Sequence, residues 1–410
     1  MRLERIRGKA ARVKGREFQF FALGAHGKGL SGGDRIFIEL ARRWARKFSV
    51  TVYVWEEGHK MCRRQKLSAR HLSFYVAKVA GVRRWGFWLG YVFSVVRGIE
   101  LGLKLKLVNN KRVVVYSASG FLMDVLPAFL LKLRFPEVIW LAAWYQAAPK
   151  PWQGFSEKGE RREKYFLRAW AYWLMQTLTK PLISGKADLV AVNNEGERSQ
   201  FNRLNKAGRV LVLLGAVPLA EIRQWQRKAG MVGKVYDGVF QGRFHPQKGV
   251  VELIDVWKRV VEERPKAKLA MIGDGPLMDK VKLQITNYKL QKNVKLFGYV
   301  FDGPKKYRIL AQSRVVVHPA FYDSGGMAAA EAMAFGLPCV GFNLQSYESY
   351  YPKGMVKVKA GDLEAFAGAV IDLLEDRKKW TKVAKEALEM IEMSWSWEER
   401  AEEILERVLS

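Results

Sequence analysis

At 410 residues the chain exceeds what one hydrophobic core usually holds, so two domains are the natural expectation. Its balance, 49% hydrophobic and 27% charged, excludes a disordered or fibrous class. A formal net charge of +30 points to anionic partners, and two distant cysteines, Cys62 and Cys339, exclude a disulfide framework and favour a reducing compartment.

Strand-like and helix-like segments alternate almost from end to end. After a basic tail (1–16), residues 18–23 read as a strand and 24–33 as a glycine-rich loop. Residues 34–47 have helical periodicity, with Ile36, Leu40 and Trp44 on one face. Residues 49–55 are β-rich, and 86–107 are helical and heavily apolar. The apolar run 85–96 meets Arg97 well short of the roughly 20 residues a spanning helix needs, so the chain is expected to be soluble or peripheral. The start lacks an apolar targeting region. Residues 113–116 and 138–141 read as buried strands with a helix, 122–134, between them. A long basic and aromatic helix is predicted over 160–181, a strand over 188–192 and a helix over 195–204.

The second half repeats the rhythm. Strands are predicted at 210–214, 235–241, 267–272, 294–297, 315–317 and 339–342. Helices are predicted at 249–264, 276–288, 302–312, 326–335, 361–375 and 377–392, with a last one to residue 408 behind a Ser396–Glu399 capping box. This alternation predicts parallel sheets covered on both faces, whose ligands bind beyond the carboxyl ends of the strands. Turn signals at 205–208 and 215–218 place the boundary, giving a domain over 17–207 and another over 208–393.

Two clusters in the loops carry chemistry. Gly242-Arg243-Phe-His-Pro-Gln-Lys248-Gly249 follows a strand and opens a helix. Arginine clamps a phosphate through two donors, lysine adds a point charge and a helix N-terminus adds backbone donors, which together suit a diphosphate. Two solvated surface cations are the plainer alternative. Asp323-Ser-Gly-Gly-Met-Ala-Ala-Ala-Glu331 sets two carboxylates eight positions apart around a glycine pair. Asp323 can accept from sugar hydroxyls, and Glu331 on an alanine face needs a donor, which a ribose diol supplies. An N-cap at Asp323 and an arginine partner for Glu331 are the alternative.

Two glycine loops carry less. Gly273-Asp-Gly-Pro276 fits either a ligand approaching the backbone or a plain strand-to-helix turn. Gly32-Gly33 fits either a phosphate or sugar approach or a flexible loop, and it is no dinucleotide fingerprint. The five histidines show no metal-ligand spacing and no D-x-D occurs, so no metal is expected.

Together these elements resemble the GT-B retaining glycosyltransferases of family 4, the group 1 type, over nearly the whole chain and most closely from 235 to 345. The resemblance implies an α/β GT-B fold. In it, two Rossmann-like parallel-sheet domains face each other across a cleft, the first binds the acceptor and the second the donor, and a C-terminal helix (394–410) packs back on the first. It implies that Arg243, Lys248 and Asp323 carry the chemistry. Donor contacts are implied at Gly32, Gly33, Gly242, Gly273, Tyr299, Gly325, Gly326, Met327 and Glu331. The family's first acid is Glu where this chain has Asp323, one methylene shorter. Many relatives carry a histidine in the stretch corresponding to 140–146; here Tyr145 and Gln146 are the candidates for that place on the acceptor side. A UDP- or GDP-type sugar is then a co-substrate, and no cofactor is implied. Front-side attack, with the departing phosphate taking the acceptor's proton, is the retaining scheme the resemblance implies.

Charge is uneven as well as large. Residues 1–200 carry 37 Lys and Arg against 15 Asp and Glu, a net of +22, and nine of the fourteen tryptophans. Such a half suits an anionic membrane surface, with 160–181 as the contact through Arg161, Arg162, Lys164 and Arg168 beside Phe166, Trp170 and Trp173; an ordinary core helix with a solvated basic end is the equal alternative. A lipid-linked or glycan acceptor and a cytoplasmic, peripheral location follow as expectations. A nucleic-acid-binding or non-catalytic relative, or a sugar-nucleotide epimerase, remains the alternative, although no nucleic-acid recognition motif is present.

Overall fold

The computed structural model describes residues 3–7, 15–26, 29–77, 86–107, 110–152 and 167–410, with backbone alone at 3–7, 86–88 and 167–169. The chain forms two compact units. One holds Met1–Ala148, Phe166–Gly215 and Trp397–Ser410; the other holds Pro149–Tyr165 and Ala216–Ser396.

The N-terminal unit runs β1 (Leu3–Arg7), β2 (Glu17–Phe21), α1 (Gly32–Trp44), β3 (Ser49–Trp55), α2 (Glu56–Arg64), β4 (Leu72–Ala77), α3 (Gly86–Lys104) and β5 (Val113–Ser117). It continues with α4 (Leu122–Arg134), β6 (Ile139–Trp144), α5 (Leu167–Lys186), β7 (Leu189–Val192), α6 (Asn202–Lys206) and β8 (Val210–Val212). The sheet order is β1-β4-β3-β2-β5-β6-β7-β8, parallel from β4 to β8. Along β2, Phe18 and Phe20 pack on Trp44 of α1, with ring centroids 4.9 and 5.6 Å away, while Phe21 joins the core under α3, α4 and α5. That alternation is the period of two expected of a strand covered on both faces. Gly98 and Gly102 let α3 approach α4 closely. A Cβ there would lie 2.7 Å from the Met123 carbonyl oxygen and 2.8 Å from Pro127 Cα.

Two boundaries differ from the sequence reading. Within the stretch read as a tail, Leu3–Arg7 pairs antiparallel with β4, whose outer edge would otherwise leave its hydrogen-bonding groups open. The strand read over 210–214 as the start of the second domain pairs with β7 instead, so the division falls after Gly215. The segment read as a helix over 195–204 is a tighter 3-10 turn, Glu195–Phe201, followed by the short α6.

The C-terminal unit runs α7 (Leu219–Ala229), β9 (Tyr236–Gln241), α8 (Val250–Glu263), β10 (Leu269–Ile272), α9 (Met278–Asn287), β11 (Val294–Leu296), α10 (Pro304–Ala311) and β12 (Ser313–His318). It continues with α11 (Met327–Met333), β13 (Cys339–Phe342), α12 (Ser346–Tyr350), β14 (Met355–Val358), α13 (Leu363–Glu375) and α14 (Arg377–Ser394). All six strands are parallel, in the order β11-β10-β9-β12-β13-β14. Strand order reverses between β9 and β12, and in such sheets a crevice opens beyond the carboxyl ends of those two strands. The chain then returns to the N-terminal unit as α15 (Trp397–Leu409). There the Trp44 indole N–H donates to the Ala401 carbonyl at 2.9 Å and Arg43 pairs with Glu398 at 2.7 Å. Both sheets thus belong to one doubly wound α/β class.

Candidate active site

The crevice of the C-terminal unit is framed by the loops after β9 (242–249) and β12 (319–326), the two the sequence singled out. Backbone bonds hold the surrounding loops together. Gly242 N–H donates to Ile272 O at 3.0 Å, Gly273 N–H to Gly298 O at 2.9 Å and Phe321 N–H to Gln247 O at 2.9 Å. Gly249 is left-handed (φ 61°), and a Cβ there would meet the Pro319 carbonyl oxygen at 2.0 Å. Only glycine lets these two loops close on each other.

The structure brings Lys248 and Asp323 together. Lys248 Nζ lies 2.6 Å from Asp323 Oδ2, and the same oxygen takes the Tyr347 hydroxyl at 3.1 Å and His318 Nε2 at 3.0 Å. The Asp323 side chain is only 7% exposed. Burial alone would raise its carboxyl, but the Lys248 ammonium and the His318 contact outweigh that and hold it well below the usual carboxylate range. Burial lowers His318 despite the aspartate beside it, so the imidazole is neutral near pH 7 and donates its Nε2 proton. Asp323 therefore spends one oxygen on three donors rather than leaving it open to a ligand, and its Oδ1 faces the Gly325 amide at 3.4 Å.

Arg243 lies on the same loop as Lys248, is exposed, and among the described residues its side chain makes no hydrogen bond or ion pair. One cation is thus held and the other is open. Gly325 sits directly against the Tyr350 ring, where a Cβ would clash at 2.2 Å. Gly326 caps α11, which begins at Met327, and its carbonyl accepts from the Tyr351 hydroxyl at 2.7 Å.

Glu331 is buried on α11. Its Oε2 accepts from Gln241 Nε2 at 2.7 Å and from Lys306 Nζ at 2.7 Å, while Oε1 is buried without a partner. The arginine considered as its partner is instead this lysine, 3% exposed, which also binds Asp302. Asp302 belongs to the loop before α10, and residues 299–305 line a shallow cavity of about 260 Å³ that includes Tyr299 and Phe301, their rings 4.9 Å apart. Lys306 thus ties that loop to the Glu331 carboxylate.

Gly32, Gly33, Tyr145 and Gln146 lie in the N-terminal unit and form a separate group. Gly33 lies against the Tyr145 ring, whose hydroxyl meets that of Tyr116. The Gln146 carbonyl accepts from Gln176 Nε2 at 2.9 Å, and its own side-chain Nε2 is buried without a partner. Glu197, whose carboxyl burial pushes up, takes the Ala147 amide at 3.1 Å. In the loops after β2 and β5, where this sheet's order reverses, Asp124 accepts from Gly24 N–H at 3.0 Å and from the Ser119 hydroxyl at 2.5 Å. Burial pushes its carboxyl up to about 7.

Sequence reasoning missed His318, Tyr347, Lys306, Gln241 and Asp124. His318 and Gln241 end strands β12 and β9, and that position was the available signal. Lys306 and Tyr347 reach the site from distant helices and carried none. Among the described residues no group of His, Cys, Asp or Glu is arranged to hold a metal.

Two units of this kind, each a doubly wound parallel sheet, with the charged loops at the switch point of the second, are those of the GT-B fold. The chain superposes on the Anabaena Alr3699/HepE structure in complex with UDP and glucose with a TM-score of 0.70, at 15% identity over 96% of this chain and 100% of that one. TarM of S. aureus, solved with UDP, gives 0.69 at 12% identity over 96% and 100%. Residues 221–390, the greater part of the C-terminal unit, match the family model described as glycosyl transferases group 1. The poly(glycerol-phosphate) alpha-glucosyltransferase of Bacillus subtilis is 26% identical over 161 residues, 38% of this chain and 23% of that protein. The Escherichia coli UDP-Gal:alpha-D-GlcNAc-diphosphoundecaprenol alpha-1,3-galactosyltransferase is 28% identical over 141 residues, 33% and 36%. The chain therefore spans only about a quarter to a third of the length of these curated relatives.

Proposed function

We propose that the chain is a glycosyltransferase that moves a sugar from a nucleoside-diphosphate donor to a glycan or lipid-linked acceptor. The observation that carries this reading is the paired Lys248 and Asp323 at the switch point of a parallel sheet, with the unpaired Arg243 beside them. Arg243 clamps the diphosphate through its guanidinium fork, and Lys248, aimed by Asp323, supplies the second positive charge as the leaving group becomes more negative. Glu331 Oε1, buried and without a donor, accepts from a ribose hydroxyl, and the cavity at Tyr299 takes the base. Gly242, Gly273, Gly325, Gly326 and Met327 offer backbone to the donor. In the N-terminal unit Gly32 and Gly33 are further donor candidates, and Tyr145 and Gln146 are acceptor candidates.

With two side-chain cations at the diphosphate, the reaction needs no divalent ion, and a front-side path with retention needs no protein base: the leaving phosphate oxygen takes the acceptor's proton. UDP in the solved neighbours and in one curated relative's name favours a uridine donor, while another relative's name specifies GDP-mannose, so the two donor types are compared directly. The basic first half and the lipid-linked substrates in relatives' names favour an acceptor at the cytoplasmic face of an anionic membrane.

Thermal-shift screening against UDP-, GDP- and ADP-sugars tests the reading. A UDP-sugar is expected to raise the melting temperature, and Arg243→Ala to abolish most of that rise. Absence of any ligand-induced shift, or an equal shift in the variant, would contradict it.

A further inference from the structure

Helices α3, α4 and α5 cover one face of the N-terminal sheet over a shared core. Each of α3 and α5 buries one apolar stripe there. Their outer surfaces are apolar as well: Leu89, Val92 and Val96 on α3, and Trp170, Leu174 and Leu178 on α5, are each 46–56% exposed. The spacings, i, i+3, i+7 and i, i+4, i+8, make one stripe per helix. Both helices pack on α4: Tyr172 of α5 lies on Phe121, the residue before α4, with ring centroids 5.4 Å apart, and Gly98 and Gly102 of α3 close on Met123 and Pro127. A surface helix normally turns a polar face to water, so outward apolar stripes on the two helices that pack on α4, over one core, mark a face that is covered by something else.

Charge decides between occupants. Residues 78–112 hold eight Lys and Arg against one acid, Glu100, and α5 carries Arg168, Lys180 and Lys186 with no acid. A second copy docked by symmetry on this face would bring those cations together. We propose that the outer face of α3 and α5 docks on an anionic lipid bilayer, apolar stripes in the acyl boundary and flanking cations at the headgroups. No described helix is long and apolar enough to cross a membrane, so α3, about 28 Å long, lies in the plane of the interface. The contact is wider than the basic helix front read from the sequence, and α3 supplies half of it. Four of the residues of that front, Arg161, Arg162, Lys164 and Phe166, fall outside the described residues, and of Arg168 only the backbone is described.

This extends the lipid-linked acceptor proposed above and is tested without a nucleotide sugar, so either idea can fail alone. The full chain is sedimented with phosphatidylglycerol-containing vesicles and with pure phosphatidylcholine vesicles. Binding is expected to the first and not the second, to weaken in high salt, and to fall about tenfold or more in Val92→Glu/Val96→Glu and in Leu174→Glu/Leu178→Glu. Leu283→Glu, at an exposed leucine on α9 of the other unit, is the control and is expected to bind as the parent does. Circular dichroism melting confirms that each variant is folded. No binding to anionic vesicles, or undiminished binding in both folded pairs, overturns the proposal. So does a dimer in vesicle-free sedimentation velocity that these substitutions convert to monomer, since a second copy would then cover the face.

Discussion

Asp323 separates two roles that the motif alone leaves merged. A sugar contact needs a free carboxylate oxygen, yet Oδ2 holds Lys248, His318 and Tyr347 together in a nearly dry site. Asp323→Asn keeps the shape and removes the charge, leaving the largely buried Lys248 ammonium without its counter-ion. We expect a loss of about 3 kcal/mol in denaturant unfolding, since breaking a buried pair costs far more than the pair contributes. Asp323→Glu restores the family's residue but adds a methylene against His318 and Tyr347. It is expected to destabilise by about 1–3 kcal/mol and to lower turnover, whereas a pure sugar contact would tolerate it. Asp124 gives a pH test. Its carboxyl titrates near 7 folded and near 3.8 unfolded, so the unfolded chain ionises first. Stability from this group is therefore greatest below about pH 4 and declines as pH rises to 7. Asp124→Asn removes that decline: the melting temperature of the variant relative to the parent should climb between pH 5 and pH 8, and a constant difference would refute the assignment.

Elements explain why those residues meet. Lys306 on α10 spans the Asp302 loop and Glu331 on α11, both on the way to the proposed base and ribose subsites. Lys306→Met keeps the stem volume and cuts both ties. The expected outcome is a rise of about tenfold in the donor's KM with kcat little changed, and an unaltered KM would show that the lysine is only a buried ion-pair member. Much of this framework was legible in the sequence. Strand-helix alternation showed the doubly wound class, and the two charged clusters fell on the loops flanking the switch point. Short elements escaped. Leu72–Ala77 is six residues whose next glycine, Gly81, comes only after a further Val79-Ala80 pair, and Met355–Val358 is four residues with a lysine inside. β8, three residues long, could be assigned to a unit only by its pairing with β7. Side chains arriving from remote helices, such as Lys306 and Tyr347, were invisible because tertiary packing brings them in.

At the scale of the whole molecule, charge and chemistry divide between the units. The residues proposed to bind a diphosphate lie on the second sheet, while the first 200 residues carry a net +22 and the outward apolar stripes. The central claim is that Arg243 and Lys248 bind a nucleoside diphosphate in the C-terminal unit, with charge supplied by side chains. Isothermal titration of UDP into the full chain with a chelator present tests it most directly. One saturable site is expected, unaffected by the chelator and weakened about tenfold or more in Arg243→Ala. No binding, or equal binding to the variant, would contradict it.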